Sequence, residues 1–193
     1  MASFTIFGTG NMANAIGGVL AAGGASVDYI SHNDADAAVT GDTVVLAVPF
    51  PAVAEIVASH GAQLAGKTVI DITNPLNFET FDDLVVPEGS SAAAEIQKVL
   101  PESRVLKAFN TNFASTLATG KVGDTDSVTT VLVAGEDAAA KADLVAAVTA
   151  GGIRAIDAGS LKRAHELEAL GFLQLTLAAG EKISWTGGFA LNN

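Results

Sequence analysis

Three small residues close to the N-terminus have the spacing of a phosphate-binding turn. Gly8, Gly10 and Ala13 follow the pattern G-x-G-x-x-A. The first glycine permits a tight turn, the second lets the backbone approach a pyrophosphate, and the alanine allows a helix to pack closely on a strand. The free N–H groups at the start of such a helix, at the positive end of its dipole, favour a bound anion. We predict that this turn binds the diphosphate of a dinucleotide.

The segments around the turn supply the strands and the helix that it needs. Residues 3–7 form an apolar, β-prone run, and apolar residues recur from Met12 to Leu20 with helical spacing. Two glycines then end the helix, and residues 25–30 have the pattern of a second strand. In this β-α-β context, dinucleotide binding is favoured over a purely structural turn.

Strands and helices continue to alternate along the chain. Further strands are predicted at 43–48, 68–72, 104–109, 129–134 and 153–156, helices at 49–60, 91–100, 138–150 and 161–178, and a short final strand within 183–191. This order predicts an α/β fold with a Rossmann-like, doubly wound, mostly parallel sheet. It forms one domain, 1–193, whose core, 1–135, is completed by 136–193. Because only residues 31–42 separate the second and third strands, their crossover helix is expected to be short or missing and the adenosine side more open.

The carboxyl ends of the strands are where an open parallel sheet binds its ligands. The predicted cofactor contacts are Gly8, Thr9, Gly10, Asn11, Met12, Ser31, His32, Asn33, Ala47, Val48, Pro49, Phe50, Thr73, Asn74 and Pro75. Phe78, Asn110 and Thr111 are predicted on the substrate side. Proline at such positions can also simply end a strand without contacting a ligand, which is the interpretation favoured for Pro51.

The end of the second strand indicates which dinucleotide is bound. Ser31, His32 and Asn33 follow the strand, and no acidic residue comes before Asp34. Hydroxyl, imidazole and amide groups can donate hydrogen bonds to a 2′-phosphate, although no arginine provides a bidentate contact. This favours NADP over NAD, the alternative being that the three residues form a solvated turn.

Few residues are suited to moving a proton. His32 is expected at the adenosine end, His60 at the end of a surface helix, and His165 in a solvated or helix-pairing position. Lys107 interrupts an apolar strand and could be a buried general acid, but we predict that its stem extends along the sheet to an edge. Transfer between two redox cofactors depends chiefly on orienting two rings, so the missing acid or base favours that reaction. No catalytic residue is assigned.

Composition narrows the choice of partners and location. A net charge of −11 disfavours nucleic acid and anionic membranes as partners. The absence of cysteine excludes disulfides and thiolate metal sites and suits a cytoplasmic location. No apolar run has the roughly 18–20 residues of a membrane span, no signal peptide is expected, and no metal site is predicted.

The last predicted helix is apolar on almost every side in its second half. Such a helix is buried on several faces, either within the core or against a second subunit. Since no second domain covers the nicotinamide end, we predict a homodimer. The aromatic residues Trp185 and Phe189 would then line the subunit interface or the acceptor cleft, with core packing as the alternative.

Motifs along nearly the whole chain resemble those of the deazaflavin:NADP oxidoreductase family, in particular its short bacterial members. They are the glycine turn, Ala47-Val48-Pro49, Asp71-Ile72-Thr73-Asn74-Pro75-Leu76, Lys107-Ala108-Phe109-Asn110-Thr111, Asp157-Ala158-Gly159 and Leu161-Lys162-Arg163-Ala164. A similar domain occurs in certain membrane metalloreductases. Where family members commonly carry a basic pair, this chain has His32 and Asn33.

The resemblance implies NADP binding, hydride exchange with a flavin-like or deazaflavin acceptor, and a homodimer. Two other functions remain open at this stage. One is a small-molecule imine or ketone reductase in which Lys107 or Asn110 orients the substrate. The other is a non-catalytic NADP-binding redox sensor.

Overall fold

A seven-stranded sheet forms the centre of the computed structural model, which describes residues 1–34 and 36–192. Its strands are β1 (Ser3–Phe7), β2 (Ser26–Ile30), β3 (Thr43–Leu46), β4 (Thr68–Asp71), β5 (Arg104–Lys107), β6 (Thr130–Gly135) and β7 (Arg154–Gly159). They lie in the order β2-β1-β3-β4-β5-β6-β7, and only the β5–β6 pair is antiparallel. The chain passes from β1 to β2 on one side and then crosses to β3 on the other. This reversal confirms the predicted doubly wound, mostly parallel fold.

Helices cover both faces of the sheet. They are α1 (Asn11–Ala22), α2 (Val53–Leu64), α3 (Ala92–Val99), α4 (Ala114–Thr119), α5 (Ala138–Ala150) and α6 (Ala164–Ala179), with short 3₁₀ turns before α2 and α6. Val45 of β3 packs in a core that includes α1 and α5, whereas its neighbours Val44 and Leu46 pack in a second core with α2 and α3. Alternate side chains thus enter opposite cores, which explains why the strand is apolar at successive positions.

The segment between β2 and β3 has no helix in its described residues, as the sequence indicated. Its later part is held by the backbone N–H of Val39, which donates to Gln63 Oε1 at 2.9 Å, and by that of Gly41, which donates to Thr5 Oγ1 at 2.9 Å. These contacts keep the segment close to α2 and β1. Among the described residues, none of the helices combines the length and hydrophobicity that crossing a bilayer requires.

The sequence analysis missed one helix and predicted one strand that is absent from the described residues. Helix α4 was not anticipated because six residues are too few to show a helical period. The predicted strand within 183–191 does not form. That segment is attached to loops and side chains rather than to a sheet edge: Gly123 N–H donates to Thr186 O at 2.7 Å, and Phe189 N–H donates to Gln174 Oε1 at 3.0 Å.

Candidate dinucleotide-binding site

The turn after β1 can be made only with glycine at its first position. Gly8 has φ of +111°, which L side chains rarely adopt, and its N–H donates to Ile30 O at 2.9 Å. A Cβ placed on Gly8 would lie 2.3 Å from Ala47 O. The close approach of the ends of β1, β2 and β3 therefore depends on this residue.

Gly10 leaves open space in front of the N-terminus of α1. It is the N-cap residue, in extended conformation, with no side chain capping the helix and no acidic residue in the first turn. A Cβ on Gly10 would meet no atom within 4 Å. Amide N–H groups at the positive end of the helix dipole thus face a space large enough for an anion.

Close packing of α1 on the sheet uses one small residue that sequence reasoning missed. Ala13 is fully buried, as predicted. Gly17 follows one turn further on, and a Cβ there would lie 1.9 Å from Tyr29 Oη. The small residue at Gly17 leaves room for the side chain of Tyr29, which extends from β2 to α1.

A cavity of about 570 Å³ extends from the glycine turn to α2, and we call it the glycine-turn cavity. Eight of the predicted cofactor residues line it, namely Gly8, Thr9, Gly10, Ser31, His32, Ala47, Val48 and Pro49. The sequence analysis missed the α2 wall, formed by Ala52, Glu55, Ile56, Ser59 and His60. These residues recur at helical spacing, which is the signal that could have identified them.

At the end of β2, the side chain of Asp34 folds back on the predicted phosphate-binding residues. Ser31 Oγ donates to Asp34 Oδ2 at 2.7 Å, and Ser31 N–H donates to the same oxygen at 3.3 Å. A 2′-phosphate would compete with this carboxylate for the Ser31 donors. Asn33, one of the predicted contacts, does not line the cavity.

A second cavity, of about 420 Å³, lies at the carboxyl ends of β4 and β5, and we call it the strand-end cavity. Its predicted lining residues are Asn11, Met12, Asn74 and Asn110. The others are Ile72, Phe109, Asn112, Phe113, Ala114, Ser115, Leu175 and Trp185. Asn11 and Met12 belong to the first turn of α1, so the two cavities lie on either side of the helix N-terminus.

Two buried asparagines that line the strand-end cavity have side-chain oxygens without a hydrogen-bond partner among the described residues. Asn74 Nδ2 donates to Asn110 O at 2.9 Å. Asn110 Nδ2 in turn donates to Asn74 Oδ1 at 2.9 Å and to Leu167 O at 2.8 Å. Asn112 Nδ2 donates to Thr130 O at 3.0 Å. The side-chain oxygens Asn110 Oδ1 and Asn112 Oδ1 have no hydrogen-bond partner among the described residues.

An ion cluster beneath the strand-end cavity holds Lys107, whose ammonium is fully buried. Lys107 Nζ lies 2.7 Å from Asp71 Oδ2 and 2.8 Å from Glu168 Oε1, and it also donates to Thr73 O. Burial raises the pKa of the Glu168 carboxyl above its ordinary value, against the opposing attraction of Lys107. The prediction that Lys107 extends to a sheet edge was therefore wrong, because two carboxylates distant in sequence neutralise it in the core.

This ion cluster fixes the elements around the strand-end cavity. Glu168 belongs to α6, and its carboxylate accepts from the N–H groups of Ala92 and Ala93 at 2.8 and 3.3 Å, at the start of α3. Lys107 lies at the end of β5 and holds the carbonyl of Thr73, the residue before Asn74. The cluster thus ties α3 and α6 to the ends of β4 and β5.

Gly171 lets α6 approach the asparagine pair, and its replacement by alanine should destabilise the protein. A Cβ there would lie 2.4 Å from Asn74 Oδ1 and 2.9 Å from Asn110 O. We expect Gly171→Ala to lower the free energy of unfolding by about 1–3 kcal/mol, measured by urea denaturation, because an overpacked contact outweighs the better helix propensity. Gly61→Ala, in α2, is the matched control. Its Cβ would have only an ordinary contact, 3.7 Å from Val57 Cγ1, so a gain of about 0.5–1 kcal/mol is expected. Equal gains in both variants would contradict this role of Gly171.

Several predicted residues line neither cavity. They are Asn33, Phe50, Thr73, Pro75, Phe78 and Thr111. Phe78 is largely exposed and packs edge-on against Phe81, with ring centroids 5.8 Å apart. Thr111 uses its carbonyl to accept from Gln174 Nε2 at 3.2 Å.

The histidines differ in their surroundings. His165 is exposed and lies 3.0 Å from Ser90 O through Nδ1. His60 was predicted at the end of a surface helix, but α2 continues to Leu64 and His60 is buried. Its ring packs edge-on against Phe7 of β1, with centroids 4.9 Å apart. His60 therefore lies on the side of α2 that faces the sheet. In the part of the chain that the structure describes, no group of three or more histidines and carboxylates is arranged to hold a metal ion.

Comparison with known proteins identifies relatives that match most of the chain. A family model described as NADP oxidoreductase coenzyme F420-dependent matches residues 25–75. The F420-dependent NADP reductase of Methanocaldococcus jannaschii is 32% identical over 170 residues, which cover 85% of this chain and 74% of that protein. The metalloreductase STEAP3 of Rattus norvegicus is 31% identical over 133 residues, covering 69% of this chain and 26% of that protein.

A solved structure agrees with these relatives. The crystal structure of a candidate F420-dependent NADP reductase from Arthrobacter sp. FB24 has a TM-score of 0.82 and 25% identity, with both chains covered completely. The resemblance inferred from the motifs is thereby confirmed. On the identity and coverage of the archaeal reductase, and with the fold shared with the Arthrobacter structure, the chain belongs to the family of F420-dependent NADP oxidoreductases.

Proposed function

We propose that this protein is an NADP-dependent oxidoreductase that transfers hydride between the nicotinamide and a deazaflavin or similar flavin-like acceptor. The observation that carries the proposal is the position of the two cavities, which are lined by adjacent residues at the N-terminus of α1, Gly10 in one and Asn11 and Met12 in the other. A dinucleotide laid across that terminus would place its diphosphate on the free N–H groups. One end would then enter the glycine-turn cavity and the other the strand-end cavity.

The strand-end cavity is suited to the carboxamide of nicotinamide. Asn110 Oδ1 and Asn112 Oδ1 offer two acceptors to an amide N–H or to the imide N–H of a deazaflavin ring. When bound, the nicotinamide supplies the hydride. Ile72, Phe109 and Leu175 exclude water from the reacting face, and the ion cluster of Asp71, Lys107 and Glu168 keeps the asparagine pair in position.

The described residues that line the strand-end cavity include no ionisable side chain. A reductase acting on a carbonyl or an imine must deliver a proton as well as a hydride and needs an acid within reach. Transfer between two ring systems needs proximity and orientation instead. The lining therefore supports a cofactor-to-cofactor reaction over reduction of a small ketone or imine.

We further propose a homodimer and a cytoplasmic location. Leu173 of α6 and the aromatic residues Trp185 and Phe189 of the C-terminal segment are each about half exposed. Trp185 also lines the strand-end cavity, so a second subunit covering these side chains would close it. The absence of cysteine supports a reducing compartment.

The proposed function is tested by binding and turnover in sequence. Calorimetric titration with NADPH and NADH should show binding with preference for NADPH. Oxidation of NADPH should then be followed with coenzyme F420, FMN and a small imine as separate acceptors. Turnover with F420 or FMN is the expected result, turnover with the imine alone would establish a small-molecule reductase, and tight binding without turnover would indicate a redox sensor.

A further inference from the structure

His60 carries a buried polar atom that the fold itself does not use. The residue is only 3% exposed. Its Nε2 is buried and has no hydrogen-bond partner among the residues that the structure describes. Since buried polar groups are nearly always paired, an unpaired nitrogen in a residue that lines a cavity points to a partner supplied from outside the chain.

The hydrogen bond on the other ring nitrogen determines what Nε2 can do. Ser59 Oγ lies 2.8 Å from Glu55 O and 2.8 Å from His60 Nδ1. The hydroxyl has one hydrogen, and the carbonyl can only accept, so the hydroxyl donates to Glu55 O. The Ser59 oxygen therefore accepts from Nδ1–H, and in the neutral imidazole Nε2 is an acceptor.

The surroundings of His60 suit a flat heteroaromatic ring. His60 lines the glycine-turn cavity together with the apolar side chains of Ile30, Val48, Ala52 and Ile56. Under the proposed function, on which this inference rests, the nicotinamide occupies the strand-end cavity. The adenine then enters the glycine-turn cavity, where its 6-amino group is its hydrogen-bond donor.

We propose that His60 Nε2 accepts a hydrogen bond from the 6-amino group of adenine and so makes the protein selective for the adenine dinucleotide. Hypoxanthine has a carbonyl oxygen at the same position. That oxygen would face the lone pair of Nε2, leaving both acceptors unsatisfied. A site built to bond an amino group rejects the analogue that lacks it because its own polar group is left unpaired.

The test compares NADPH with nicotinamide hypoxanthine dinucleotide phosphate, in reduced form, by calorimetric titration. The unmodified protein is expected to prefer NADPH by about tenfold, the order of one buried hydrogen bond. His60→Phe keeps the aromatic packing on Phe7 but removes the acceptor, so it should weaken NADPH binding and reduce the preference to near unity. His165→Phe is the matched control and should leave both affinities unchanged.

A second measurement requires no variant. The ¹⁵N resonance of one of the chain's three histidines should shift at Nε2 on addition of NADPH, and not on addition of the hypoxanthine analogue. Equal affinity of the unmodified protein for the two nucleotides, or a preference that persists in His60→Phe, would overturn the role of His60 while leaving the proposed function intact. Binding of neither nucleotide would overturn the proposed function and, with it, this inference.

Discussion

Gly10→Val is expected to lower the affinity for NADPH by at least about a hundredfold with the fold intact. The valine side chain would fill the space in front of α1, where a Cβ on Gly10 meets no protein atom. The diphosphate would then lose two or more hydrogen bonds from the helix N-terminus. Each such bond to a charged group contributes about 1.5–3 kcal/mol, so losing two corresponds to a hundredfold or more.

The fold should survive this change because the backbone at Gly10 is not strained. Its φ of −76° and ψ of −175° are extended values open to valine. Gly18→Val makes the same chemical change two turns further along α1, where a Cβ also meets nothing within 4 Å. The control variant should bind NADPH normally by calorimetry, and both variants should give native circular dichroism. Near-normal binding by Gly10→Val would mean that the diphosphate lies elsewhere.

Lys107→Met is expected to lower the free energy of unfolding by about 3–5 kcal/mol. The change removes the single ammonium that neutralises Asp71 and Glu168, both of which are fully or almost fully buried. Breaking a buried ion pair on one side leaves an uncompensated charge, which costs about this amount. Urea denaturation at neutral pH measures the change.

Lowering the pH should reduce the loss in the free energy of unfolding that Lys107→Met causes. Burial already raises the pKa of the Glu168 carboxyl, and without the lysine the attraction that opposes this rise is lost. The folded variant then binds protons more readily than the unfolded chain, so its stability relative to the unmodified protein rises as the pH falls.

Lys141→Met provides the matched control for this prediction. Lys141 is also buried and lies 2.8 Å from Asp157 Oδ1, but that carboxylate is half exposed. Water can solvate Asp157 after the lysine is removed, so a loss of about 1 kcal/mol or less is expected. Comparable losses in the two lysine variants would show that burial of the carboxylates does not decide the effect.

The dinucleotide turn was predictable because its requirements are local. A positive φ at Gly8, an open approach at Gly10 and a small residue at Ala13 lie within six positions of one another. The small residue types at these positions directly indicate the backbone conformation of the turn. The alternation of strands and helices was predictable for the same reason, since the spacing of apolar residues that identifies each strand or helix lies within a single segment.

The polar site at the strand ends required tertiary structure. Lys107 meets Asp71, 36 positions away, and Glu168 on the last helix, and no local pattern predicts either contact. Sequence reasoning therefore placed its ammonium at a sheet edge. The same holds for Asn112, whose amide nitrogen donates to the carbonyl of Thr130 in β6 and whose oxygen is unpaired among the described residues.

The sequence by itself determined the fold class, the glycine turn and the family resemblance, because these depend on spacing within short segments. Only the tertiary structure decided which side chains are buried together. In the folded chain, His60 of α2 lines the glycine-turn cavity instead of facing solvent, and Lys107 lies between the carboxylates of Asp71 and Glu168. Burial is set by what packs on a residue from distant parts of the chain, and that packing sets its chemistry.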